Sequence, residues 1–166
     1  MTWNQGWLCW VALTPLLCAL FFQRDAGRYQ PLRKAALGYV AGLVFFNGTF
    51  YWLSTTLSVL YDNRWLLALT PLLSALFALY FAFWSWFVGA VLVRGESLPR
   101  FPRSLDNLGL ACAGACAWIV HEWVRERLFG GFGWNPLGVA LYRDLPMIQI
   151  AEYTGGPGLS LSLIHI

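Results

Sequence analysis

Residues 108–134 read LGLACAGACAWIVHEWVRERLFGGFGW, and this stretch decides what kind of protein the chain is. Its first part, Leu108 to about Val124, is apolar enough for a bilayer. It runs directly into His121, Glu122, Arg125, Glu126 and Arg127, then opens into the loop Gly130-Gly131-Phe132-Gly133-Trp134. Ionisable groups at the end of a membrane helix are costly unless paired or hydrated, so they point towards function.

The whole chain fits a lipid solvent. Of its 166 residues 58% are hydrophobic and only 11% charged, against roughly 25% charged in a soluble domain. Mean hydropathy is +0.56. A chain this short has too much surface to hide that much apolar material in a soluble core. Aromatics reach 17%, with 10 Trp, which suits rings parked at membrane interfaces. The net charge is only +3 and the basic residues are scattered over loops, so no nucleic-acid stripe exists. Cys9, Cys18, Cys112 and Cys116 all lie inside apolar segments. Their spacing matches neither a zinc site nor a disulfide framework. None has a base beside it, so none is nominated as a nucleophile.

Apolar segments run over residues 7–22, 35–53 (reaching towards Tyr61), 65–93 and 108–124, and another starts near Met147 and continues to residue 166. A spanning helix needs roughly 17–25 residues. The expected fold class is therefore all-α: a polytopic transmembrane helical bundle with four complete spans and the start of a fifth. Arg24, Arg28, Arg33 and Lys34 fall in the loop 23–34, and Arg94, Arg100 and Arg103 in the loop 94–107. Basic loops face the cytoplasm. The loop 125–146 then faces the opposite compartment, the periplasm in a diderm bacterium. This orientation puts the N-terminus outside, although Met1 to Gly6 holds no basic residue and no cleavable signal is evident. The expectation is a fragment, with an upstream span missing and the last segment cut.

Small residues at four-residue spacing, Gly109, Ala113 and Ala117, give the fourth segment a face for close helix packing. The third segment carries Phe77, Tyr80, Phe81, Phe83, Trp84, Trp86 and Phe87, which suits a helix facing lipid all round. At the end of the fourth segment Trp118, Glu122 and Arg125 share one side. Glu122 and Arg125 can pair at i,i+3 and close the helix; Arg125 can instead face an anionic headgroup or phosphate. In the loop, Phe132 and Trp134 can lie on lipid chains, and Asn135-Pro136 fixes a turn.

These residues carry a resemblance. The chain resembles the membrane half of bacterial apolipoprotein N-acyltransferase, a family with a Trp-x-x-x-Glu-Trp-x-Arg helix end followed by Gly-Phe-x-Trp and a nearby Gly. Here they are Trp118, Glu122, Trp123, Arg125, Gly131, Phe132, Trp134 and Gly138. Gln149-Ile150-Ala151 and Gly155-Gly156-Pro157-Gly158-Leu159-Ser160 look like the family's next segment and turn. Trp10 to Leu17 and Gly48 to Leu53 look like two of its spanning helices. Gly133 stands where the family most often has Pro.

The resemblance implies transfer of an acyl chain from a phospholipid to the N-terminal cysteine amine of a diacylated lipoprotein. The enzyme would be a multi-pass protein of the bacterial inner membrane, monomeric at full length and needing no cofactor or metal. It also implies that the catalytic Cys, Glu and Lys belong to a nitrilase-like domain beyond position 166. No position here matches them, so this segment holds no catalytic residue and is expected to be inactive alone. Glu122, Arg125, Gly131, Phe132, Trp134, Asn135 and Gly138 are the candidates to face substrate or lipid. The alternative is a non-enzymatic integral membrane scaffold or assembly subunit. A transporter fits less well, since Asn47 is the only strongly polar amide in mid-segment.

Overall fold

A computed structural model describes residues 6–22, 29–92, 104–128 and 131–165. Among them every regular element is helical: α1 (Thr14–Phe22), α2 (Gln30–Leu60), α3 (Leu69–Trp86), α4 (Ser104–Arg127), α5 (Leu145–Ile148) and α6 (Ala151–His165). Short 3₁₀ turns cover Gly6–Trp10, Arg64–Ala68 and Leu137–Leu141, and a π-helical turn covers Phe87–Leu92. Arg24, Arg28, Arg94, Arg100 and Arg103, on which the orientation rests, lie outside the described residues, as do Phe129 and Gly130.

The helices fall into two compact units, residues 23–91 and residues 1–22 with 92–166. In the first, α2 and α3 form a hairpin. Pro31 opens α2, where its missing N–H costs nothing. The buried residues of α2 recur every four positions: Lys34, Gly38, Gly42, Phe46, Phe50 and Ser54. They meet Thr70, Ser74, Ala78, Phe81, Trp84 and Ser85 of α3. A Cβ on Gly42 would lie 2.9 Å from Ala78 Cα, and one on Gly38 2.5 Å from the Phe81 carbonyl oxygen. Gly38-x-x-x-Gly42 thus lets the two backbones touch, as small residues do between helices in lipid. Beyond the glycines the gap is filled by rings: Phe50 and Phe77 meet edge to face at 5.2 Å, and Phe46 stacks on Phe50 at 5.5 Å. One end of the hairpin is held by a hydrogen bond between the Ser54 and Thr70 hydroxyls. The other is held by Lys34 Nζ donating to the Gly89 carbonyl in the π turn.

Two of the expected spans are long and apolar enough to cross a membrane, at Gln30–Leu60 and Arg64–Leu92. Their outer faces expose Val40, Val44, Leu72, Leu76, Leu79 and Phe83, an apolar surface of the kind that meets a membrane or a partner protein. Among the described residues the other expected spans do not meet that measure of length and hydropathy. Pro15 restarts the chain after a 3₁₀ turn, so the first apolar helical run, Leu8–Phe21, is short. The segment from Met147 is split: α5 ends at Ile148, and α6 breaks at Gly155, whose φ of +68° leaves the helical region just before Pro157. α4 is 24 residues long but charged at its end.

Three expectations are corrected. Lys34 lies inside α2 and is buried, not in a basic loop. α3 does not face lipid all round, because Phe81 and Trp84 are buried while Phe83 and Trp86 are exposed. The expected packing face of α4 is also displaced: Gly109 is exposed with open space about it, and the buried side holds Gly114, Ala115, Trp118, His121, Glu122 and Arg125.

In the second unit α4 packs against α6, and the 3₁₀ turn Leu137–Leu141 lies on α6 and on the turn Gly6–Trp10. Cys9, Leu141, Leu159 and Leu163 form its core, with Trp10, Leu137 and Met147 packed around them. This small core positions the loop that follows α4.

Candidate functional site

The end of α4 is built to hold that loop. Gly131 adopts φ +81°, the left-handed conformation that closes helices, and its N–H donates to the Leu128 carbonyl at 3.1 Å. A side chain there would overlap the Glu126 carbonyl oxygen. Phe132 N–H donates to the Arg125 carbonyl at 3.1 Å, so one of the helix's last acceptors is satisfied by the loop itself. Asn135 also takes positive φ, 57°, a conformation Asn tolerates better than most residues. Pro136, extended at φ −63° and ψ 151°, then leads into the 3₁₀ turn.

Of the charges at the helix end, Glu126 and Arg127 approach each other at 3.8 Å, while Glu122 and Arg125 hold the loop. Glu122, 5% exposed, accepts from the Trp118 indole N–H at 3.0 Å and from the Leu137 backbone N–H at 2.7 Å, both on Oε1. A carboxylate at the start of a helical turn meets the positive end of its dipole and takes an otherwise orphaned donor. Arg125, 3% exposed, donates from Nη1 to the Trp134 carbonyl at 2.8 Å. Glu122 and Arg125, which their spacing puts on one side of the helix, each reach a backbone group of the chain that follows it. His121 is buried beside the Trp118 ring, with centroids 5.0 Å apart.

The next donor along, Gly138 N–H, bonds to Ser160 Oγ at 3.1 Å. A Cβ on Gly138 would lie 2.9 Å from both the Gly156 carbonyl oxygen and Leu159 Cβ. Gly138 is therefore the residue that lets the turn press against α6.

The candidates thus divide. Glu122, Arg125 and Gly138 are buried and position the loop. Gly131, Trp134 and Asn135 are exposed, and Phe132 is half-buried with its ring 5.9 Å from that of Trp134. Trp123 is also exposed and carries the Arg127 guanidinium over its ring at 4.4 Å. The sequence reading gave no role to Ser160, although it noted the Gly-Leu-Ser turn. It missed Gly38 and Gly42, whose four-residue spacing was visible. Among the described residues no group of His, Cys, Asp and Glu comes together to hold a metal ion.

Residues 1–166 match the family described as apolipoprotein N-acyltransferase N-terminal domain. Relatives named apolipoprotein N-acyltransferase include one from Geobacter metallireducens, 32% identical over 92% of this chain and 26% of its own length. The Brucella suis relative is 29% identical over 97% of this chain and 29% of its own length. The one from Ralstonia nicotianae is 31% identical over 94% and 28%. The chain thus spans just over a quarter of the length of these relatives. No solved structure matches it.

Proposed function

The chain belongs to the apolipoprotein N-acyltransferase N-terminal domain family, and from that premise we propose that it is the membrane-embedded platform of such an enzyme. In this reading the full-length enzyme moves an acyl chain from a phospholipid to the N-terminal cysteine amine of a diacylated lipoprotein. The catalytic groups come from the part of the relatives that this chain does not cover, and residues 1–166 alone do not catalyse the transfer. The segment lies in the inner membrane of a bacterium. Four segments cross, at about 7–22, 35–53, 65–93 and 108–124, and a fifth begins near 147. The connections before α2 and before α4 face the cytoplasm, and the connection after α4 faces the periplasm.

The observation that carries the reading is the loop 131–136. Buried charges hold it at the end of α4, and it presents Trp134, 51% exposed, with Phe132 beside it. An exposed indole held on an anchored loop suits contact with acyl chains or glycerol at a membrane interface. Arg125 and Glu122 keep the loop in place, so their effect on substrate passes through Trp134 and Asn135.

The test uses the full-length enzyme carrying this segment. Trp134→Ala raises KM for the phospholipid donor more than it lowers thermal stability. Equal loss of both would make Trp134 a structural residue only. Arg125→Ala leaves the Trp134 carbonyl without its charged donor and lowers activity; unchanged activity at unchanged expression would remove the loop from the site.

A further inference from the structure

We propose that Ser160 is a positioning residue for the reaction, acting on substrate through the 3₁₀ turn Leu137–Leu141 and the loop in front of it. The proposal rests on the reading of that loop given above. Two consecutive backbone donors open the turn. Leu137 N–H goes to the Glu122 carboxylate on α4, and Gly138 N–H to the Ser160 hydroxyl on α6. The turn is therefore tied to two different helices within one residue, and the loop 131–136 hangs from that double tie and from Arg125. Ser160 is fully buried and has no access to lipid of its own.

Its place is set by the break in α6. Gly155 turns the chain at φ +68°, Pro157 restarts the helix, and Ser160 falls on the face that meets Gly138. Removing the hydroxyl leaves the buried Gly138 N–H without its acceptor, a loss that buried backbone donors do not tolerate. The turn shifts to find another partner, and Trp134 moves with it. Ser162 is the natural control. Its hydroxyl donates to the Leu159 carbonyl at 2.8 Å within α6.

The experiment compares Ser160→Ala, Ser160→Thr and Ser162→Ala in the full-length enzyme, reading KM and kcat separately and hydrogen exchange at the Gly138 amide. Ser160→Ala raises KM for phospholipid about tenfold, the scale of one lost buried hydrogen bond, and leaves kcat at saturating donor within about twofold. It also removes protection at Gly138. Ser160→Thr keeps the hydroxyl and restores both, and Ser162→Ala changes neither. If Ser160→Ala leaves KM unchanged while Trp134→Ala raises it, Ser160 has no positioning role and the loop reading stands. If Trp134→Ala also leaves KM unchanged, the loop reading itself fails. Should Ser160→Ala not accumulate, Ser160→Thr decides: near-parental KM with Gly138 protected supports the proposal, and a raised KM with the hydroxyl present overturns it.

Discussion

At the scale of single residues, the two loop glycines next to α4 have different reasons to exist. Gly131 sits at φ +81° against the Glu126 carbonyl, whereas Gly133 lies outside the left-handed region and a Cβ there would make ordinary contact with the Glu126 side chain at 3.4 Å. Gly131→Ala should therefore destabilise the protein by about 1–2 kcal/mol or more. Gly133→Ala should be neutral or stabilising by about 0.4–1 kcal/mol, through the unfolded state. Thermal unfolding in detergent separates them, and the same loss at both positions would mean that the loop is not held as described. Glu122 offers a second contrast. Glu122→Ala strips acceptors from the Trp118 indole and from Leu137 at once, at about 1–3 kcal/mol for each buried donor. Glu122→Gln keeps a carbonyl oxygen and should lose less.

At the scale of elements, the hairpin of α2 and α3 depends on close backbone approach. Gly42→Val places branched atoms where even a single Cβ would lie 2.9 Å from Ala78 Cα, and should cost about 1–3 kcal/mol by overpacking. Gly48→Ala, on the same helix with nothing within 4 Å, should be neutral or stabilising by about 0.5–1 kcal/mol. Denaturant titration in detergent would contradict this packing if the two variants behaved alike. Helices were legible in the sequence because apolar length and the absence of strand patterning leave few alternatives. Their faces were harder to read. In α3 aromatic residues occur on every side, so composition cannot distinguish Phe81, which packs on α2, from Phe83, which faces outward. In α4 the small residues Gly109, Ala113 and Ala117 satisfied the packing rule locally, but tertiary contact selected the neighbouring side with Ala115 and Trp118. The helix-end charges of Glu122 and Arg125 stood out in the sequence. Their partners were hidden because backbone groups far along the chain, at Trp134 and Leu137, carry no side-chain signature.

At the scale of the whole molecule, the apolar outer faces of α2 and α3 and the anchored loop serve one purpose in this account: to hold lipid-handling groups at a membrane interface. The proposed orientation rests on the charge of the connecting segments. A Cys introduced at Asp62, in the tip between α2 and α3, or at Gly133 should react with a membrane-impermeant thiol reagent added to the periplasmic side of cells, after Cys9, Cys18, Cys112 and Cys116 are replaced. Labelling only after permeabilisation of the inner membrane would invert the orientation. The central claim is that the segment serves lipoprotein N-acylation. Its most direct measurement is mass spectrometry of the lipoprotein N-terminus, in cells whose only apolipoprotein N-acyltransferase is the full-length enzyme carrying this segment. The account predicts an amide-linked third acyl chain on the terminal cysteine. A free cysteine amine, with the protein present in the membrane at normal level, would contradict it.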